Sequence, residues 1–391
     1  MTCSHYEKEN QMLVESQQEP SRGRGAGEKA PMRNFPRAFF IFATTRIIAT
    51  MAEPEQQVPQ TTAQLEEALA DNPLQADDHP GDEDSAYNTS ILSGSMQTSL
   101  ASSVLNYKYE NGRRYHAFRE GTYLMPNDEE EQDRMDMVHH VYSMALGGEL
   151  FLAPIAENPQ RVLDLGTGTG IWAMDFADEY PSAEVIGTDL SPIQPGWIPP
   201  NCVFEVDDFE SDWPYSKPFD FIHARELEGC ISDDDRLFRQ AFEHLAPEGF
   251  FEIQATYARF VSDDETHKNA ENAQKWLSSL INGLAEFGKP LDNAIGWKER
   301  LEAAGFVDCQ QELRKIPVGP WPKDPKLKEL GRFQAIQQMK AVESYTPAVF
   351  GRILGWSSEE IQVVIAKVRK ELTDPAIHIY IPVYFVWGRK P

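Results

Sequence analysis

From about Leu105 onward, apolar and polar positions fall into short blocks whose period changes back and forth between that of a strand and that of a helix. Residues 127–150 read as a helix, with Asn127 or Asp128 as N-cap and acids in the first turn. Its stripe of Met135, Val138, Val141, Tyr142 and Leu150 is patchy. Arg161–Leu165 is a compact apolar strand, Ile171–Tyr180 a helix free of Gly and Pro, and Ala183–Asp189 a second strand. Cys202–Val206 and Phe219–Ala224 follow as further strands, then a helix over Asp234–Leu245 and a fifth strand over Phe250–Gln254. Alternation of this kind predicts an α/β fold with a parallel sheet covered by helices on both faces. Two later strands are expected at Phe306–Leu313 and His378–Trp387. Helical stretches are expected at Glu265–Phe287, Lys326–Val342 and Ser358–Leu372.

Upstream the pattern fades. Residues 51–100 hold ten Asp/Glu and no Lys or Arg, with few large apolar side chains. Such a stretch buries too little surface to offset the entropy of ordering, so residues 1–104 are expected to form a disordered, acidic extension with at most a short helix near Ala63–Ala70. The organised domain then spans 105–391. The run Ala38–Ala43 inside the first fifty residues is too short to cross a membrane, which takes about 20 apolar residues. Its Arg-flanked setting from Met32 resembles an organellar address, but its distance from Met1 favours a non-functional extension, with Met51 as an alternative start.

The chain has 391 residues and a net charge of −26, from 36 Lys+Arg against 62 Asp+Glu. That balance argues against direct nucleic-acid binding, which needs a basic face. Its four cysteines lie far apart with no C-x-x-C pair, so neither a disulfide scaffold nor a metal site is expected, and a reducing, cytoplasmic setting is the default.

The chemistry concentrates after the first strand. Asp164-Leu165-Gly166-Thr167-Gly168-Thr169-Gly170 closes the strand and opens a helix, so the glycines permit a tight turn and close approach of a ligand to backbone N–H groups. A dinucleotide site reads G-x-G-x-x-G; here the third glycine comes one residue early, and Asp164 suits a ligand carrying an ammonium group better than a pyrophosphate. Asp189 ends the second strand, where a carboxylate can accept both hydroxyls of a ribose, with Leu190 beside it. Asp207 and Asp208 follow the third strand, where an acid can accept from an adenine amino group.

These segments, with VDDFESDW and FDFIHAR, resemble the class I S-adenosylmethionine-dependent methyltransferases. ENGRRYH at 110–116, the run from GTGIWAMDFADEY to SPIQP, and PVGPWPKDPKLKELGRFQ resemble more narrowly the fungal LaeA-like methyltransferases, over about residues 105–391. The resemblance implies a Rossmann-like sheet of seven strands whose last two form an antiparallel edge pair, and S-adenosylmethionine as cofactor. It places Gly166, Thr167, Gly168 and Gly170 along the methionine part, Asp189 on the ribose and Asp207 or Asp208 on the adenine. The regulator that names the family has Cys where this chain has Thr167, which weakens a claim of orthology and leaves the cofactor residues intact.

A sulfonium methyl is already activated, so alignment and exclusion of water are the main demands, and no nucleophilic triad is needed. His223, at the end of the fourth strand, is the candidate general base, and Arg225, Tyr115 and Tyr123 are candidates for acceptor contacts. About sixty residues separate the last two strands, and with 256–305 the stretch 317–376 is expected to form a helical cap in which Trp321, Phe333, Met339 and Phe350 are candidate lining residues. The expected activity is O- or N-methylation of a small-molecule, secondary-metabolite acceptor. The alternative is a nuclear regulator of secondary metabolism that acts through protein partners and methylates itself or another protein.

Overall fold

The computed structural model describes residues 62–70, 72–77, 107–110 and 112–391. Its elements are α1 (Thr62–Ala70), the hairpin β1 (Lys108–Glu110) and β2 (Arg113–Tyr115), α2 (Glu129–Leu146), β3 (Arg161–Leu165), α3 (Ile171–Glu179), β4 (Glu184–Asp189), β5 (Cys202–Val206) and β6 (Phe219–Arg225). There follow α4 (Asp234–His244), β7 (Leu245–Thr256), α5 (Glu271–Phe287), α6 (Trp297–Ala304), β8 (Val307–Pro317), α7 (Pro325–Ala348), α8 (Ser358–Leu372) and β9 (Tyr380–Arg389).

Seven strands make one sheet in the order β5-β4-β3-β6-β7-β9-β8. β3 to β7 pair in parallel, and β9 runs antiparallel between β7 and β8. Strand order reverses between β3 and β6, so the crevice at their C-terminal ends is where an open α/β sheet binds ligands. Side-chain alternation divides the core. Val162, Phe221 and Phe250 pack with α3 residues such as Trp172 and Phe176, while Leu163, Ile222 and Phe251 face the opposite layer with Leu237, Phe238 and Trp297. The α3 face also carries a buried polar row, since Asp164, His223 and Glu252 are register neighbours on β3, β6 and β7.

Local signals set several helix ends. Asp128 caps α2 by accepting from the Glu131 amide at 3.2 Å, three glutamates fill the first turn, and Gly147 ends the helix in the left-handed conformation. A capping box from Ser357 and Glu360 starts α8. α5, α7 and α8 enclose a second core around Trp276, Leu280, Val342, Phe350 and Val368, which forms the cap.

Three expectations need correction. Part of the extension placed at 1–104 belongs to the fold: Leu65 and Leu69 of α1 are buried in the sheet core. Lys315 donates to the Leu69 and Asn72 carbonyls at 2.5 and 2.7 Å, and Asp263 accepts from the Leu74 amide at 2.6 Å. Two leucines one turn apart suffice when a groove receives them, and the polar average of the surrounding fifty residues hides them. The other residues of that extension, including Ala38–Ala43, lie outside the described residues. Next, α6 does not join the cap, because Trp297 and Leu301 pack with α4 in the core of the sheet. Finally, Trp321 and Phe350 are core residues, and Phe333 and Met339 pack against core clusters. No helix among the described residues is long and apolar enough to cross a membrane.

Candidate active site

A cavity of about 220 Å³ opens at the C-terminal ends of β3, β4 and β6, beneath the cap. One half is lined by Asp164, Gly166, Thr167, Gly168, Asp189, Leu190 and Asp208. The loop after β3 is stapled in place. Thr167 donates its hydroxyl to Asp164 at 2.5 Å and its amide to the Thr188 carbonyl at 2.8 Å, and the Gly168 amide donates to Asp189 at 3.0 Å. Gly166 has φ +62°, and a Cβ there would stand 2.5 Å from the Leu227 side chain, so the backbone lies open only because no side chain is present. Gly170 caps α3 at φ +81° against the Phe204 ring and does not line the cavity.

Asp189 accepts from the Ser191 amide at 2.8 Å as well as from Gly168, and burial pushes its carboxyl up to about 6. A carboxylate there retains lone pairs for two further donors, which fits a ribose diol. Of the two later aspartates, Asp208 lines the cavity, paired to Arg119 at 3.2 Å. Asp207 does not line it. The Asp207 carboxylate accepts from the Asp208 amide at 2.8 Å, and the Asp207 amide donates to the Asp189 carbonyl.

His223 is fully buried. Its Nδ1 meets Asp164 Oδ1 at 2.8 Å, its ring stacks on Trp172, and burial lowers its pKa to about 4. A neutral imidazole that donates to Asp164 does so from Nδ1, and Nε2 has no partner among the described residues. This geometry commits Nδ1 of His223 to Asp164, while the residue itself is among those that line the cavity. Arg225 lines the cavity, yet its Nε donates to Gln254, Nη1 to His139 and Nη2 to the Leu150 carbonyl, at 2.8, 3.1 and 3.1 Å. These three bonds brace α2 against the sheet and leave two of the five guanidinium N–H donors uncommitted. Tyr123 lines the cavity; Tyr115 lies outside it, buried under Arg352 with the guanidinium 4.4 Å from the ring centre.

The other half of the cavity went unread in the sequence. Phe260, Trp276, Leu277 and Leu280 supply an apolar wall, while Arg134, Glu226, Glu228 and Tyr345 supply polar groups. The available signals were the α5 stripe of Trp276, Leu277 and Leu280, and the two acids just beyond the fourth strand.

A family described as a methyltransferase domain matches residues 137–311. The seven-stranded sheet, parallel except at its β9 and β8 edge, is that of a class I methyltransferase. Methyltransferase pytC of Aspergillus terreus is 42% identical over 303 residues, covering 77% of this chain and 94% of that protein. Secondary metabolism regulator LAE1 of Cochliobolus heterostrophus is 36% identical over 289 residues, 72% of this chain and 94% of that protein. Protein-methionine methyltransferase laeA of Emericella nidulans is 35% identical over 287 residues, 72% of this chain and 76% of that protein. This chain belongs to the fungal LaeA-like methyltransferases, an S-adenosylmethionine-dependent group of enzymes.

Proposed function

We propose that this enzyme transfers a methyl group from S-adenosylmethionine to an oxygen or nitrogen of a small secondary metabolite. The supporting observation is a single cavity that joins the glycine loop, Asp189 and Asp208 to an apolar wall from α5. In this reading Gly166, Thr167 and Gly168 line the methionine part, Asp164 faces its ammonium group, Asp189 holds the ribose and Asp208 the adenine. The bound donor supplies an activated methyl group. The chain's own residues align the acceptor and shed water beneath the cap.

A second reading has one observation in its favour. Met125 and Met135 both line the cavity, and the Met135 sulfur lies 3.1 Å from where a Cβ on Gly168 would stand. With a relative described as a protein-methionine methyltransferase, this supports methylation of a protein thioether, including one of this chain, within a regulatory and nuclear role. Incubation with methyl-labelled S-adenosylmethionine and extract from cells lacking the protein separates the two. Label in the organic-soluble fraction is the expected outcome and supports metabolite methylation. Label confined to precipitated protein supports the regulator and overturns the first reading.

A further inference from the structure

The turn that follows β6 is the seam between the two halves of the cavity. At one end Leu227 rests on Gly166 of the glycine loop. At the other, a Cβ on Gly229 would stand 3.2 Å from both Leu284 and Leu291, so the turn abuts the cap. Between these contacts lie two acids that line the cavity, Glu226 and Glu228. Glu226 sits at φ +56°, a conformation that a residue with a side chain rarely adopts, and accepts from the Tyr142 hydroxyl.

Glu228 is only 8% exposed. Its Oε1 accepts from the amide of Thr256, at 3.1 Å, and from the Thr256 hydroxyl. Its Oε2 has no partner among the described residues. A glutamine would serve Thr256 equally well, so the anchoring contact does not explain why an acid stands here. A buried acceptor left without a donor is costly. The bases Arg134, Arg259 and Lys289 on the same walls are already paired, with Glu131, Asp292 and Glu210. In the ionised form, Oε2 lacks one donor.

We propose that Glu228 receives the proton of the methyl acceptor, an apolar ring compound whose phenol-type hydroxyl reaches the seam while its rings lie against Phe260, Trp276 and Leu280. This rests on the methyl-transfer reading above. As the hydroxyl oxygen forms its bond to the methyl carbon, the bond from that carbon to the donor's sulfur breaks with its electron pair going to sulfur. The O–H proton moves to Oε2. The products are the methyl ether, the thioether and a protonated Glu228. Burial first, and then the charge of Glu226, hold the Glu228 carboxyl well above the usual carboxylate range, which brings it toward the basicity that removal of a phenolic proton requires. The other titratable or charged groups around the pair are Cys230 on the same turn, Arg225 at the end of β6, Arg134 and Tyr142 on α2, and Tyr345 on α7.

The test uses the full chain and two probes with the same ring, 2-naphthol and 2-methoxynaphthalene, titrated by calorimetry, with S-adenosylhomocysteine titrated separately. Wild type should bind 2-naphthol about tenfold more tightly than its methyl ether, the worth of one good hydrogen bond. Glu228→Gln keeps an oxygen for Thr256 and turns Oε2 into a donor. It should bring the two probes within twofold and cut methylation of 2-naphthol by about 10²-fold or more, with S-adenosylhomocysteine affinity unchanged. Glu228→Asp, whose shortened acid cannot hold Thr256 and also reach the probe, should lose the preference too and serves if the first variant does not fold. A wild type that binds S-adenosylhomocysteine but treats the probes alike, or a Glu228→Gln variant that keeps the preference, overturns the role of Glu228. A wild type that binds no S-adenosylhomocysteine overturns the methyl-transfer reading and the proposal with it.

Discussion

The imidazole of His223 lies parallel to the indole of Trp172, with ring centres 3.7 Å apart and planes 6° apart, while its Nδ1 holds Asp164. A strand residue, a helix residue and the acid before the glycine loop are thereby locked as one unit. His223→Ala should destabilise the fold by about 2–4 kcal/mol, because it opens a cavity beside Trp172 and strips the buried Asp164 side chain of one of its two hydrogen-bond partners. Urea titration would measure this, and a loss under about 0.5 kcal/mol would contradict it.

The same residue predicts a pH dependence. Burial depresses the native pKa to about 4, from an ordinary 6.5. The unfolded chain therefore takes up this proton first. The contribution of His223 is full above pH 6.5 and is lost as pH falls toward 4, at up to about 1.4 kcal/mol per pH unit. His223→Gln should flatten that part of the acid limb relative to wild type.

Asp189 has the opposite sign. Its native pKa is raised by burial to about 6, so protonation stabilises the ligand-free fold as pH drops from 6 toward 3.8. The ribose contact in the proposed function needs the ionised form. Affinity for S-adenosylhomocysteine should therefore weaken below about pH 6, and Asp189→Ala should weaken it by ~1–3 kcal/mol at neutral pH. Calorimetry from pH 5 to 8 would check both, and an unchanged dissociation constant in the variant would remove Asp189 from the site.

Two glycines of one loop should fail differently. Gly170→Ala forces a Cβ into the Phe204 ring at φ +81°, between α3 and β5, so its main effect should be a lowered melting temperature. Gly166→Ala meets only the end of the Leu227 side chain, which can move, although φ +62° still costs of order 1 kcal/mol. Its main effect should be lost cofactor affinity. Thermal melts paired with S-adenosylhomocysteine titrations separate the two, and the reverse pattern would refute the distinction.

Leu65→Ala and Leu69→Ala should each cost about 2 kcal/mol if α1 is held as described, since both side chains are buried in the sheet core. Chemical denaturation of the full chain reads this directly. Losses within about 0.5 kcal/mol would mean that α1 contributes little to the fold.

Much of the fold was legible before any coordinates. Arg161–Leu165 and Cys202–Val206 end where their apolar runs end, and Ile171 opens a helix at the third glycine. Asp164, Gly166, Gly168, Asp189 and Asp208 meet in one cavity because strand ends on one side of a parallel sheet share an edge. Local pattern also placed α5 and α8 within a few residues, yet it left Trp321 and Phe350 open between pocket lining and core, and both are core. An aromatic looks the same in sequence whether it packs inward or lines a void.

Short-range chemistry, by itself, determined the order of strands and helices along the chain and the glycine turn, because each depends on residues within a few positions of one another. Tertiary structure alone decided which residues face the cavity. It placed Asp208 there and Asp207 outside, bonded Arg225 to Gln254, His139 and Leu150, and joined His223 to Asp164. It also brought Glu228 against Thr256 and seated Leu65 and Leu69 in the sheet core. Each of these depends on contacts between residues far apart in the chain, and such contacts leave no periodicity to read.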